Sequence, residues 1–191
     1  MDLALAFEDS VPFKLTVDQY RDLIHQGVIY EGAKIELIEG MIVQMNAQAS
    51  IHTVVVSQLA FRLHDRVKEI GSDLMALATP TIAFPLHNAL DPDVGVLTRQ
   101  AIGAEFFPAS TVKLLIEVSH TTLGKDLRFK RDIYAAAGVP EYWVVDVNKA
   151  QVHRFANPTD GAYRQEPPIP LAGDLRSLTI PELLVNGTGI L

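Results

Sequence analysis

The chain has 191 residues and no cysteine, which excludes disulfides and thiolate metal sites, and its length suits one domain with a real core. The formal net charge of -7 argues against wholesale coating of nucleic acid, which needs Lys and Arg to neutralise phosphates, but leaves room for a local basic groove. No apolar run approaches the roughly 20 residues of a membrane span. The acidic start MDLALAFEDSVPF lacks the basic n-region and cleavage site of a signal peptide, so a cytoplasmic enzyme or binding protein is the expected class.

Residues 1–14 read as a flexible arm ahead of a single domain over 15–191. Thr16 can cap a helix from Val17 to about His25, with Gln19 completing a capping box. Gly27 and Gly32 suit the loop that follows. KIELIEGMIVQM, residues 34–45, predicts a hairpin turning at Glu39-Gly40; Glu36 and Ile38 share one face of its first strand, and a lone hairpin carboxylate is expected to be solvated. Ser50 to Ile70 is the longest helical pattern, with Ile51, Val54, Val55, Leu59, Leu63, Val67 and Ile70 approximating one apolar stripe and Gly71 at its end. His52 lies in its first turn and reads as either a surface or a packing residue. Leu74 to Pro85 reads as one strand or two, kinked near Thr79-Pro80, and His87-Asn88 as a turn.

In LDPDVGVL, residues 90–97, Pro92 starts a strand whose alternation sets Val94 and Val96 on one face and Asp93, Gly95 and Leu97 on the other. A loop leads to Lys113. The next strand sets Leu114, Ile116 and Val118 against Leu115, Glu117 and Ser119, and it is expected to pair antiparallel with the Asp93 strand. A helix then ends at Gly138 and Pro140, and Glu141 to Val147 forms a buried strand. Strand, helix and strand at this spacing predict a parallel crossover. Gln151–Phe155 and Tyr163–Glu166 read as edge strands around Asn157-Pro158, with Pro167, Pro168 and Pro170 breaking the chain. The tail from Leu171 is expected to cover an edge or a subunit contact.

Glu117 carries the chemical argument. A carboxylate in an otherwise apolar strand is costly to bury alone, so it needs a partner, a metal or water. Asp93 and Glu117 on adjacent strands, without cysteine, favour a hard cation such as Mg²⁺ or Mn²⁺. Such an ion acidifies a bound water and clamps a phosphate. Lys130, on the helix after the Glu117 strand, is placed to stabilise charge on phosphorus or to position the attacking water. The constellation Pro92-Asp93, Glu117 and Lys130 thus points to phosphodiester hydrolysis. Plainer readings stand beside it. Asp126 and Lys130 have the spacing of a helix ion pair worth about 0.2–0.5 kcal/mol, and Asp93 could be a turn residue. The basic groups Lys125, Arg128, Lys130, Arg131 and Arg62, His64, Arg66, Lys68 are solvated helix faces or a local groove.

A PD pair followed by a hydrophobic strand carrying Glu resembles the PD-(D/E)XK nuclease superfamily. The segments IELIEGMIV, LDPDVGVL and LLIEVSHTTLGKDLRFKRDIYAAAGVPEYWVVD are similar to its Uma-two family of restriction-endonuclease-like proteins. The resemblance covers roughly residues 15–180 and is strongest over 113–146. It implies an α/β fold: a restriction-endonuclease-like αβββαβ core whose mixed central sheet is flanked by helices. It implies Asp93 and Glu117 as metal ligands, with the Val118 carbonyl third and Glu36 in addition, and Mg²⁺ or Mn²⁺ as cofactor. Ser119 stands where the simplest superfamily pattern has lysine, and the resemblance moves that role to Lys130, with Asp126 and Tyr134 orienting it. His52 matches a recurrent histidine. His120 and Met41 depart from the family pattern. DNA as substrate and a homodimer are implied as well. The resulting expectation is a Mg²⁺-dependent DNA endonuclease. Its rivals are a nuclease-derived binding or assembly module with little turnover, motivated by the acidic charge and Ser119, and a hydrolase of small phosphate esters.

Overall fold

The structure, a computed structural model, describes residues 11–30 and 32–191. The arm expected over 1–14 lies mostly outside the described residues, and residues 11–14 have no regular structure. Two compact units form: the chain up to Met45 with Phe84–Leu90, and Asn46–Ala83 with Asp91–Leu191.

In the first unit, helix α1 (Val17–His25) begins at Thr16, whose side chain accepts the Gln19 N–H while the Gln19 side chain accepts the Thr16 N–H. Strands β1 (Ile35–Ile38) and β2 (Met41–Gln44) form the expected hairpin. Its turn residues Glu39 and Gly40 both have positive φ, as a tight hairpin requires. Gly40 is obligatory, because a Cβ there would sit 2.6 Å from the Lys14 Cβ. Strand β5 (Asn88–Leu90) pairs with the other edge of β1 through Leu37 and Ala89, so Asn88 opens a strand rather than completing a turn. Glu36 is only 2% exposed, which corrects the expectation of a solvated carboxylate.

In the second unit, helix α2 (Ser50–Glu69) ends as expected, Gly71 taking a φ of 61°. Thr79, at a φ of 46°, and Pro80 separate β3 (Leu74–Ala78) from β4 (Ile82–Phe84). Strand β4 pairs parallel with the short β7 (Phe107–Pro108). The remaining strands are β6 (Val94–Thr98), β8 (Val112–Ser119), β9 (Glu141–Asp146), β10 (Gln151–Thr159) and β11 (Ala162–Pro170). With β3 they form a six-stranded sheet in the order β11-β10-β9-β8-β6-β3. Strands β3, β6 and β8 run antiparallel in turn, and β9 joins β8 in parallel. Helix α3 (residues 123–136) makes that crossover; it consists of Leu123–Lys125, a π-helical stretch Asp126–Lys130 and Arg131–Ala136. This is the αβββαβ core with a mixed sheet.

Val55, Leu59, Leu63 and Val67 of α2 pack on Val94 and Val96 of β6, Leu114, Ile116 and Val118 of β8, and Trp143 and Val145 of β9. One sheet face is therefore dry, as the two-residue alternation of strands dictates. The C-terminal strands differ from expectation. The hairpin between β10 and β11 turns at Asp160-Gly161, both with positive φ, and Asn157-Pro158 falls at an irregularity within β10. β10 is an inner strand. β11 is the edge and continues through Pro167, Pro168 and Pro170, because an edge strand tolerates missing N–H donors.

The tail forms β12 (Asp174–Arg176) and β13 (Leu184–Asn186), and it adds Leu175, Leu183, Val185 and Ile190 to the α2 core. Two residues of the second basic group hold it. Arg62 donates to the Asn186 and Thr188 carbonyls, and Arg66 to that of Glu182. Buried Glu141, at the start of β9, anchors it further. Its carboxylate accepts the Trp143 indole N–H, the Ser177 and Thr179 hydroxyls and the Leu178 and Thr179 N–H groups, so its charge is fully engaged by donors. Among the described residues no helix is long and apolar enough to cross a membrane.

Leu59→Ala empties a fully buried site on α2 and is expected to cost about 2–5 kcal/mol in urea unfolding. Val54, expected on the apolar stripe, is instead 50% exposed, because it lies more than a quarter turn round the helix from buried Val55; Val54→Ala should stay within about 0.5 kcal/mol. Equal losses at the two positions would contradict the packing described.

Candidate active site

The strand registers assemble the site. Val94 pairs with Ile116 across β6 and β8, so one residue further Asp93 comes opposite Glu117. On the other edge of β8, Glu117 pairs with Val144 and Ser119 with Asp146. Because Ile116 and Val118 take the α2 face, Glu117 and Ser119 are left to the face that α3 covers.

Glu117 is 4% exposed. Its Oε1 accepts from the Lys130 Nζ at 2.8 Å and from the Tyr134 hydroxyl at 2.8 Å. Lys130 and Tyr134 are buried as well. A buried carboxylate matched by a cation and a hydroxyl meets the condition that the apolar strand imposes.

Asp126 has a different role from a helix ion pair. Its Oδ2 accepts the Ser119 hydroxyl at 2.7 Å and the Thr122 hydroxyl at 2.6 Å. The Tyr142 hydroxyl donates to the Asp126 carbonyl at 3.1 Å and its ring meets Tyr134 edge-on. Burial, reinforced by the charges of Glu117 and Asp126, holds the Tyr142 hydroxyl well above its usual pKa, so it remains a donor. Ser119, where the simplest superfamily pattern has lysine, thus ties β8 to the start of the helix that carries Lys130. Of the nearby basic residues, Lys130 belongs to the Glu117 pair and Arg131 to Asp132.

Asp93 is 5% exposed and meets β8 one residue beyond Glu117. Its Oδ2 accepts the Val118 N–H at 2.7 Å and lies 3.0 Å from the His52 Nε2. The Gln48 Nε2 lies 3.5 Å from its Oδ1. His52, which reads from the sequence as a surface or packing residue, is 8% exposed, because the first turn of α2 lies against the end of β6 and its ring meets Asp93. A strand residue presents its N–H and C=O on the same edge, so the Val118 carbonyl shares the edge that faces Asp93.

The second unit therefore brings Asp93, His52, Glu117, Val118, Ser119, Asp126, Lys130 and Tyr134 into one connected set. Glu36 lies in the first unit, buried on β1. Gln48 and Thr122 join the set unforeseen. Gln48 lies outside any periodic segment, so only the long-range fold brings it to Asp93. Thr122, four residues before Asp126, had a local signal in that spacing.

Two carboxylates on paired strands and a main-chain carbonyl are the oxygen donors that a hard divalent cation takes. Among the described residues no three His, Cys, Asp or Glu side chains form a ready-made cage. Mg²⁺ is commonly held by one or two carboxylates, water and substrate phosphate rather than by such a cage, so the residues present fit it.

A family model described as "Uma2: Putative restriction endonuclease" matches residues 17–187. No curated protein matches the chain. Among solved structures, the chain is similar to the crystal structure of a putative nuclease belonging to DUF820 from Anabaena variabilis ATCC 29413. The TM-score is 0.70 at 17% identity, over 92% of this chain and 97% of that one, a likeness of fold.

Lys130→Met leaves the Glu117 charge buried without its cation and is expected to cost about 3–5 kcal/mol. Adding Glu117→Gln removes the charge and should recover most of that loss. Urea unfolding of both single variants and the double variant reads this coupling; a double variant no more stable than Lys130→Met alone would contradict it.

Proposed function

Because the chain belongs to the Uma2 family of restriction-endonuclease-like proteins, we propose that it is a metal-dependent endonuclease that hydrolyses phosphodiester bonds in DNA. The observation that carries this reading is the buried Glu117–Lys130 pair beside Asp93. An acidic pair on adjacent strands with a lysine at hydrogen-bond distance is a arrangement suited to phosphoryl transfer, where positioning and charge stabilisation supply most of the catalysis.

In this reading Asp93, Glu117 and the Val118 carbonyl would hold Mg²⁺ or Mn²⁺. At that place the ion's charge would polarise a phosphoryl oxygen and acidify a water. The chain's own residues do the rest. Glu117 and Tyr134 set the Lys130 ammonium, which stabilises the charge that grows on the phosphate as water attacks phosphorus and the bond to the leaving sugar oxygen breaks. Asp126, held by Ser119 and Thr122, fixes the first turn of α3 and so the reach of Lys130. The low solvent exposure of these groups strengthens each charge interaction. A homodimer would supply two such sites, one for each strand.

Glu117→Gln and Asp93→Asn together are expected to abolish metal binding and cleavage while leaving the far-ultraviolet circular dichroism unchanged. Calorimetric titration of Mg²⁺ and Mn²⁺ into wild type and this double variant, with plasmid and single-stranded DNA incubated in parallel, tests the reading. Lys130→Ala should lose on the order of 10²–10³-fold in cleavage rate. Undiminished cleavage by the Glu117→Gln variant would overturn the assignment. Metal binding by wild type without DNA cleavage would turn the search to small phosphodiesters or to a binding module.

A further inference from the structure

The two oxygens of Asp93 are treated differently. Oδ2 lies 2.7 Å from the Val118 nitrogen and 3.0 Å from the His52 Nε2. Oδ1 has a contact with the Gln48 amide at the long limit of 3.5 Å, where a hydrogen bond is weak. The other ring nitrogen of His52, Nδ1, is buried and has no hydrogen-bond partner among the described residues. A proton on Nδ1 would be a buried donor left unmade, at a cost of about 1–3 kcal/mol. The ring proton therefore sits on Nε2 and is donated to Asp93.

Two donors from two elements, the backbone of β8 and the first turn of α2, thus converge on one oxygen. They fix both the plane and the rotation of the carboxylate. The imidazole is rigid and nearly enclosed, so little freedom is left to lose when a ligand arrives. We propose that His52 is a positioning residue for cation binding: with the Val118 N–H it occupies Oδ2 of Asp93 and leaves Oδ1 as the oxygen that takes the cation. The inference rests on the metal-site reading of Asp93 and Glu117, and it adds a role for a residue that touches neither cation nor substrate. Removing a hydrogen-bond partner of a ligating group commonly costs about 10–100-fold in metal affinity.

The test compares His52→Gln with His52→Met in the full chain. Both side chains are unbranched and of similar size, but only glutamine can donate to Asp93. Mn²⁺ binding is measured by calorimetry and by electron paramagnetic resonance, beside wild type and the Asp93→Asn, Glu117→Gln variant. His52→Met is expected to bind Mn²⁺ about 10–100-fold more weakly than wild type, with His52→Gln recovering most of the loss. The two variants should unfold at similar temperatures in chelator, which separates the donor's effect from packing. Bound Mn²⁺ in wild type should show no nitrogen coupling from an imidazole.

Equal Mn²⁺ affinity in His52→Met and wild type would overturn the proposal, as would His52→Gln no better than His52→Met. Nitrogen coupling would also overturn it, by making His52 a ligand. Failure of wild type to bind Mn²⁺ would sink the metal-site reading itself and this inference with it. If His52→Met does not fold, His52→Asn against His52→Leu makes the same comparison.

Discussion

Burial of Glu117 is the constraint around which the second unit is arranged. β8 lies between β6 and β9 in the sheet, and it is covered by α2 on one face and engaged by α3 on the other. A charge at the centre of such a strand is tolerated only if donors reach it. Lys130 and Tyr134 do so from successive turns of α3, both at 2.8 Å from the same oxygen. The helix cannot slide or rotate along β8 without breaking that pair, so the ion pair registers helix against strand as well as offsetting a charge.

The other bonds of α3 protect this register. Asp126 is pinned by the Ser119 and Thr122 hydroxyls, and its carbonyl by Tyr142. The stretch Asp126–Lys130 is π-helical, a local widening often found at functional sites, and it carries both Asp126 and Lys130 into buried positions. Gly138, at a φ of 72°, ends the helix and lets Val139 and Pro140 lead into β9. Ser119 thus tethers β8 to the helix that carries Lys130, through its hydroxyl on Asp126.

Asp93 closes the same construction from the opposite edge. Where the β6–β8 pairing ends at Val94 and Ile116, its side chain takes the next β8 N–H in place of a main-chain carbonyl. Asp93 therefore ends the ladder and, in the proposed function, presents an oxygen to the cation. The same sheet end receives the first turn of α2 through His52. Farther along α2, Arg62 and Arg66 fasten the C-terminal tail, so the helix joins the site at one end to the tail at the other.

Much of this was written in the linear sequence, because short-range rules govern it. The capping box of α1, the Glu39-Gly40 turn, the end of α2 at Gly71 and the crossover from β8 to β9 all follow from neighbours a few residues apart. The isolation of Glu117 among apolar residues marked it as a group needing partners, and Lys130 and Tyr134 stood at helical spacing. Tertiary structure decided which partners those groups took. Burial of Glu36 and His52 depends on strands and helices distant in sequence, and neither residue has a local pattern that signals it. Asp126 and Lys130 have the spacing of an ion pair, yet the fold gives Asp126 two hydroxyls and Lys130 the strand carboxylate. Pro167, Pro168 and Pro170 look like chain breakers, but β11 keeps them because an edge strand has one side free of pairing. Periodicity fixes which side of an element is buried. Only the assembled sheet determines what meets that side, since the donors that satisfy a buried charge come from wherever the chain returns.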